Sequence, residues 1–197
     1  MPLHYIISEL AISMVSAWGA WRLVRAQQLL GASGVALFAL AAAIGILRIA
    51  SGAEALLAPA HRLASQAGGT FALVLIVAQI AKHRGWTAPL LVICAGASGA
   101  ALASLASAVL GGLIFLVLLV VGAALLATQP HSKHRALAAL GFVLMAPNIL
   151  FIRQSVFLDP ALSWHGFHFI TALWLIGVVA ALRSAQQRSA EPLASHR

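Results

Sequence analysis

Residues 87–128 contain no charged side chain. As a single helix this stretch would be about 60 Å long, roughly twice the hydrocarbon thickness of a bilayer. It must therefore cross and return, and Val109-Leu110-Gly111-Gly112 is where the turn is expected. No soluble fold accommodates such a run. Its backbone can be satisfied in lipid only by helices or a closed barrel, and the apolar segments here have helical length.

The rest of the chain follows the same rule. Of its 197 residues, 62% are hydrophobic and 8% charged, against about a quarter charged in soluble domains. The net charge of +8 does not mark a nucleic-acid binder, because the basic residues sit in short loops between apolar runs. The expected fold is all-α: a polytopic seven-transmembrane-helix bundle in one domain, 1–183. Its spans fall at about 4–24, 29–50, 63–81, 87–108, 111–128, 136–152 and 164–182. Residues 53–60 read as a loop, and 184–197 as a polar tail without structure. Met1-Pro2-Leu3-His4 lacks a basic n-region, so the first run is expected to stay as a helix. Cys94 lies in an apolar run and reads as a packing residue.

Charge asymmetry gives an orientation. One set of ends carries Arg22, Arg25, Lys82, Arg84, Lys133, Arg135, Arg183, Arg188 and Arg197; the other carries Arg48, Arg62 and Arg153. The first set is expected in the cytoplasm, with the N-terminus outside, in a cell inner (plasma) membrane. The basic loop 129–135, with His131 and His134, reads as solvated and headgroup-facing.

This topology brings the chain's polar residues to one end, in the outer half. Glu9 lies about one turn inside the first span, Arg48 near the end of the second, and His61 and Ser65 four apart at the start of the third. Arg153 and Asp159 occupy the last loop. His165 and His168 open the last span, three apart and on one helical face. Ionisable groups beside hydrocarbon are expensive and mark function. His61, His165 and His168 offer a three-imidazole ligand set for zinc. Glu9, Arg48, Ser65 and Asp159 would surround a metal-activated water as catalytic or supporting groups. Two alternatives stand beside this. His61 facing His165 or His168 would suit a b-type haem. A small transporter, or a subunit whose polar cluster packs against partner membrane subunits, needs neither metal nor haem.

The architecture, the polar group near the second and third spans, and the histidine pair on the seventh resemble the CREST group of membrane hydrolases. That group includes the alkaline ceramidases and the progestin/adiponectin-receptor family. The resemblance implies zinc-dependent hydrolysis of a lipid amide or ester, with a bilayer lipid as substrate. The residues that carry it are His61, Ser65, His165 and His168. The His61–Ser65 order is reversed relative to the family's Ser-xxx-His, and His165-Gly166-Phe167-His168 is one residue shorter than its His-xxx-His.

Overall fold

The computed structural model describes the backbone of residues 2–129 and 135–194, and side chains to residue 184. Every regular element among these residues is helical. The elements are α1 (Tyr5–Arg25), α2 (Leu29–Ala50), α3 (Glu54–Lys82), α4 (Leu90–Ala106), α5 (Ala108–Ala127), α6 (Arg135–Ile152) and α7 (Pro160–Ala194). Five of them, α2, α3, α5, α6 and the Pro160–Ser184 part of α7, are long and apolar enough to cross a membrane. α4 is apolar but has 17 residues. In α1, Glu9, Arg22 and four serines or tyrosines dilute the apolar run.

Several expected boundaries move. The uncharged block does turn back, but at Ser107, a few residues before the glycines. Ser107 is extended (φ −150°, ψ 120°), and its Oγ accepts from Leu110 N–H as the N-cap of α5. The break falls there because a serine supplies the capping oxygen that the glycines lack. Residues 54–60, expected as a loop, are the first turns of α3. Pro59 is tolerated inside that helix, and a π turn follows at Leu63–Ala67. Pro147 removes a backbone donor in α6: the helix is interrupted at Leu144 and re-forms as a π turn over Asn148–Ile152. Residues 184–194, expected as an unstructured tail, continue α7 as helix. Residues 130–134 of the basic loop and the last three residues lie outside the described part of the chain.

The helices close into a ring. α1 packs on α2 and α7, α2 on α3, α3 on α5, α5 on α6, and α6 on α7; α4 lies against the α3–α5 pair. Arg84, just past α3, donates to Thr128 Oγ1 and to the Leu125 carbonyl at the far end of α5. α4 and α5 thus leave from and return to one end of the bundle. Small residues set the closest approaches. A Cβ at Gly34 of α2 would lie 2.6 Å from the Ala72 carbonyl oxygen of α3, and one at Gly19 of α1 would lie 2.7 Å from Val179 of α7. The Gly/Ala/Ser-rich α4 buries only Ala97 and Ser104, and Gly96 and Gly99 face open space. The glycines that hold the bundle are in α1, α2 and α5 instead.

Polar side chains in the interior reach backbone groups of neighbouring helices. Trp174 Nε1 donates to the Phe142 carbonyl at 2.9 Å, and Asn148 Nδ2 to the Phe167 carbonyl at 3.0 Å. At the other end Gln28 Nε2 donates to the Leu182 carbonyl at 3.2 Å. Gln79 Oε1 accepts from Gly31 N–H, which turns its Nε2 toward His83 Nε2 at 3.3 Å. An amide nitrogen only donates, so the His83 ring must accept and be neutral. The exterior inverts a soluble surface: Leu91, Leu102, Val109, Leu137 and Leu173 are all exposed. Such a continuous apolar surface is compatible with lipid and not with water.

Gly34→Ala forces a methyl onto a backbone oxygen that cannot yield, so α2 and α3 must separate. A loss of about 1–3 kcal/mol is expected, read as a lower melting temperature in detergent. Gly96→Ala, in open space, should hold or raise stability through helix propensity.

His83 supplies a pH test. Burial, and secondarily Lys82, lowers its pKa below the ordinary 6.5. The unfolded chain therefore binds this proton more readily. The contribution is complete above the unfolded value and is lost as pH falls toward the lowered folded one. Between about pH 7.5 and about pH 5.5, His83→Gln should lose less melting temperature than the parent protein. An identical loss in both would contradict a neutral, half-buried His83.

Candidate functional site

α1 carries Glu9 into the bundle, where the residue is only 2% exposed. Space for its carboxylate comes from Gly45 of α2, where a Cβ would sit 2.7 Å from Glu9 Oε1 and 2.8 Å from its Cδ. The carboxyl group therefore lies directly against the α2 backbone. His168 of α7 brings Nε2 to 3.3 Å from Glu9 Oε1, and His61 of α3 brings Nε2 to 3.9 Å from the same oxygen. Arg48, three residues after Gly45 and on the same side of α2, places NH1 at 3.3 Å from His61 Nδ1. Four of the residues singled out in the sequence, Glu9, Arg48, His61 and His168, are thus in one contact network.

The hydrogen-bond partners fix the ring tautomers. A guanidinium only donates, so His61 Nδ1 accepts from Arg48 and its Nε2 carries the hydrogen, directed toward Glu9. His168 is the reverse. Its Nδ1 lies 2.7 Å from the Trp164 carbonyl, which only accepts, so Nδ1 carries the hydrogen. Its Nε2 then faces Glu9 Oε1.

His165 does not join this group. Its Nδ1 lies 3.0 Å from Ser8 Oγ, and its ring contacts Tyr5 and His4 with centroids 5.4 and 5.3 Å apart. Residues three apart on a helix differ by about 60° around its axis. That angle sends His168 toward Glu9 and His165 toward Ser8, outside the cluster. The expected three-histidine set is not assembled, and His61 Nε2 carries a hydrogen where a metal would need a lone pair. Among the described residues no group of three or more His, Cys, Asp and Glu is arranged to hold a metal ion. His61 and His168 both approach one carboxylate oxygen rather than facing each other across an open slot.

The remaining candidates have local roles. Asp159 is the N-cap of α7: its Oδ1 accepts from Ala161 N–H at 2.8 Å and Leu162 N–H at 3.3 Å. Ser65 lies in the π turn with its hydroxyl directed back to the Arg62 carbonyl at 3.4 Å. The Arg153 guanidinium lies over the Phe167 ring, 5.2 Å from its centroid.

A cavity of about 460 Å³ opens beside Glu9, a size typical of small-molecule sites. Glu9, His61, Ser65, Arg153, Trp164 and His168 line its polar part; Ile12, Leu37, Phe38, Phe115, Met145 and Ile149 line the apolar remainder. Two buried polar atoms of this wall have no hydrogen-bond partner: the acceptor Glu9 Oε1 and the donor Trp164 Nε1. Sequence reasoning missed Gly45, Ser8 and the Trp164 indole. The i, i+3 spacing of Gly45 and Arg48 was a usable signal for the first. Nothing in the sequence distinguishes Ser8 from the other serines of α1.

The tautomers are directly measurable. In ¹⁵N-histidine-labelled protein, His61 should show an unprotonated Nδ1 and His168 a protonated Nδ1. Arg48→Met should release His61 to the other tautomer. A protonated Nδ1 on His61 in the unsubstituted protein would contradict the network. No protein-family model, curated protein or solved structure matches this chain.

Proposed function

We propose that this is a seven-crossing membrane protein that binds an amphipathic small molecule in its bundle cavity and acts as a non-enzymatic carrier. α1 and α4 complete the crossings as the least apolar and the shortest helix. The N-terminus is outside and the C-terminus cytoplasmic, in an inner or plasma membrane, because the basic ends outnumber those near Glu9.

One observation carries the binding assignment. A buried acceptor, Glu9 Oε1, which faces two imidazole nitrogens but accepts no hydrogen bond, and a buried donor, Trp164 Nε1, without a hydrogen-bond partner, lie in the wall of one cavity. Leaving such groups unpaired costs about 1–3 kcal/mol each. A ligand that stabilises both needs a donor and an acceptor on one small head, as an amide or an alcohol has. The apolar lining takes an alkyl body. Arg153 in the same wall disfavours an ammonium head.

A carrier is favoured over a hydrolase because His165 turns to Ser8, away from His61 and His168, and because Ser65 is turned to a backbone carbonyl; the part-buried Ser8–His165 pair lies outside the cavity wall.

Dodecanamide, dodecanol and dodecane are suitable probes for protein in nanodiscs, measured by equilibrium dialysis. The amide and the alcohol should bind, with dodecane at least tenfold weaker. Glu9→Ala should reduce amide binding by about 10- to 100-fold, the range of a hydrogen bond to a charged group. Equal binding of dodecane would remove the polar-head requirement and sink the proposal. One zinc per protein that is lost in His165→Ala would instead favour the hydrolase.

A further inference from the structure

The opposite end of the bundle holds a second polar site. Arg22 and Arg25 on the last turn of α1 and Arg183 of α7 line a depression together with Trp21 and Ala26. The packing below them fixes this arrangement. Gly19 lets α1 approach Val179 of α7, and Gln28, only 1% exposed, donates to the Leu182 carbonyl next to Arg183. Gln27, at φ 57°, makes the tight turn that carries Gln28 back to α7. Arg183 is thereby held beside the two arginines of α1.

The guanidinium groups are presented in a defined way. The Arg22 guanidinium lies over the Trp18 ring at 5.5 Å, and that of Arg25 over Trp21 at 5.8 Å. Stacking on indoles restricts the long side chains without using their N–H donors. Trp18 and Trp21 are 43% and 54% exposed, as interfacial indoles are. The chain has four acidic residues. Glu9 lies about 20 Å along α1 from these arginines, Glu54 and Asp159 sit at the same far end as Glu9, and Glu191, eight residues past Arg183 on α7, has its side chain outside the described part of the chain. Among the described residues no carboxylate pairs with Arg22, Arg25 or Arg183.

We propose that Arg22, Arg25 and Arg183 form a binding site for the phosphodiester headgroup of an anionic phospholipid, with Trp18 and Trp21 packing on its glycerol and upper acyl region. Three fork-shaped donors suit the oxygens of a phosphate. The depression lies at the end of an apolar surface, so a headgroup seated there leaves its acyl chains along the outside of α1 and α7. The site acts as a lipid anchor on the α1–α7 seam, and it is independent of the cavity near Glu9.

The test is native mass spectrometry of the full chain, exchanged into mixed micelles with equal phosphatidylglycerol and phosphatidylcholine. One retained phosphatidylglycerol is expected, preferred at least tenfold over phosphatidylcholine. Arg22→Gln/Arg183→Gln should remove the preference. Arg22→Lys/Arg183→Lys, which keeps the charge but loses the fork, should weaken it only in part. An unchanged melting temperature in lipid-free detergent distinguishes lost binding from lost folding. Equal retention of the two lipids, or a preference that survives the glutamine variant, overturns the proposal. Displacement of the lipid by millimolar inorganic phosphate would assign the site to the free ion and overturn the lipid identity.

Discussion

A carboxylate held against a helix backbone and away from water organises one whole end of this bundle. An ionised carboxylate in hydrocarbon is costly by several kcal/mol unless charge or hydrogen bonds compensate it. At Glu9 two imidazoles from other helices approach the carboxylate, His61 of α3 and His168 of α7. The α2 backbone must also yield space, and Gly45 does so. The positions of α1, α2, α3 and α7 at this end are therefore coupled. The polar cluster specifies how the helices meet, since lipid gives apolar faces little reason to prefer one neighbour over another.

The histidine contacts show how protonation follows from neighbours rather than from residue type. Arg48 and the Trp164 carbonyl impose opposite tautomers on two rings that approach the same oxygen. His61 therefore offers Glu9 a hydrogen, whereas His168 offers a lone pair. This asymmetry lies next to a cavity that is otherwise mostly apolar.

The sequence made the helical, membrane-type architecture legible because hydrocarbon leaves few alternatives for apolar runs. It also placed Glu9, Arg48, His61 and His168 at one end, since each sits near a span boundary and the spans alternate in direction. What it left open was angular. The His165–His168 spacing shows a shared face but not that about 60° of rotation separates a ring on Glu9 from a ring on Ser8. Asp159 looked like a charged member of the cluster and is a cap, because the helix starts at Pro160 rather than at Trp164. The turn at Ser107 and the helical course of 54–60 were misplaced for a related reason. In both, one capping oxygen or one tolerated proline decides the boundary, and hydrophobic periodicity carries little information about either.

The two ends of the bundle contrast in a way that bears on how such a chain can work. Near Glu9 the charges are inside and face one another across a cavity. Near Arg22 they are on the surface of the bundle. An internal site tolerates a ligand only if its polar atoms match the orphaned donor and acceptor. An external site needs only charge and a planar donor set. If both ends are occupied, α1 and α7 are fixed at the top through Glu9–His168 and at the bottom through Arg22 and Arg183, with the Gly19–Val179 contact between them. Opening of the cavity would then fall to the other helices. α6 is suited to that role, because Pro147 and the π turn after it already interrupt its backbone ladder beside Met145 and Ile149, two residues of the cavity wall.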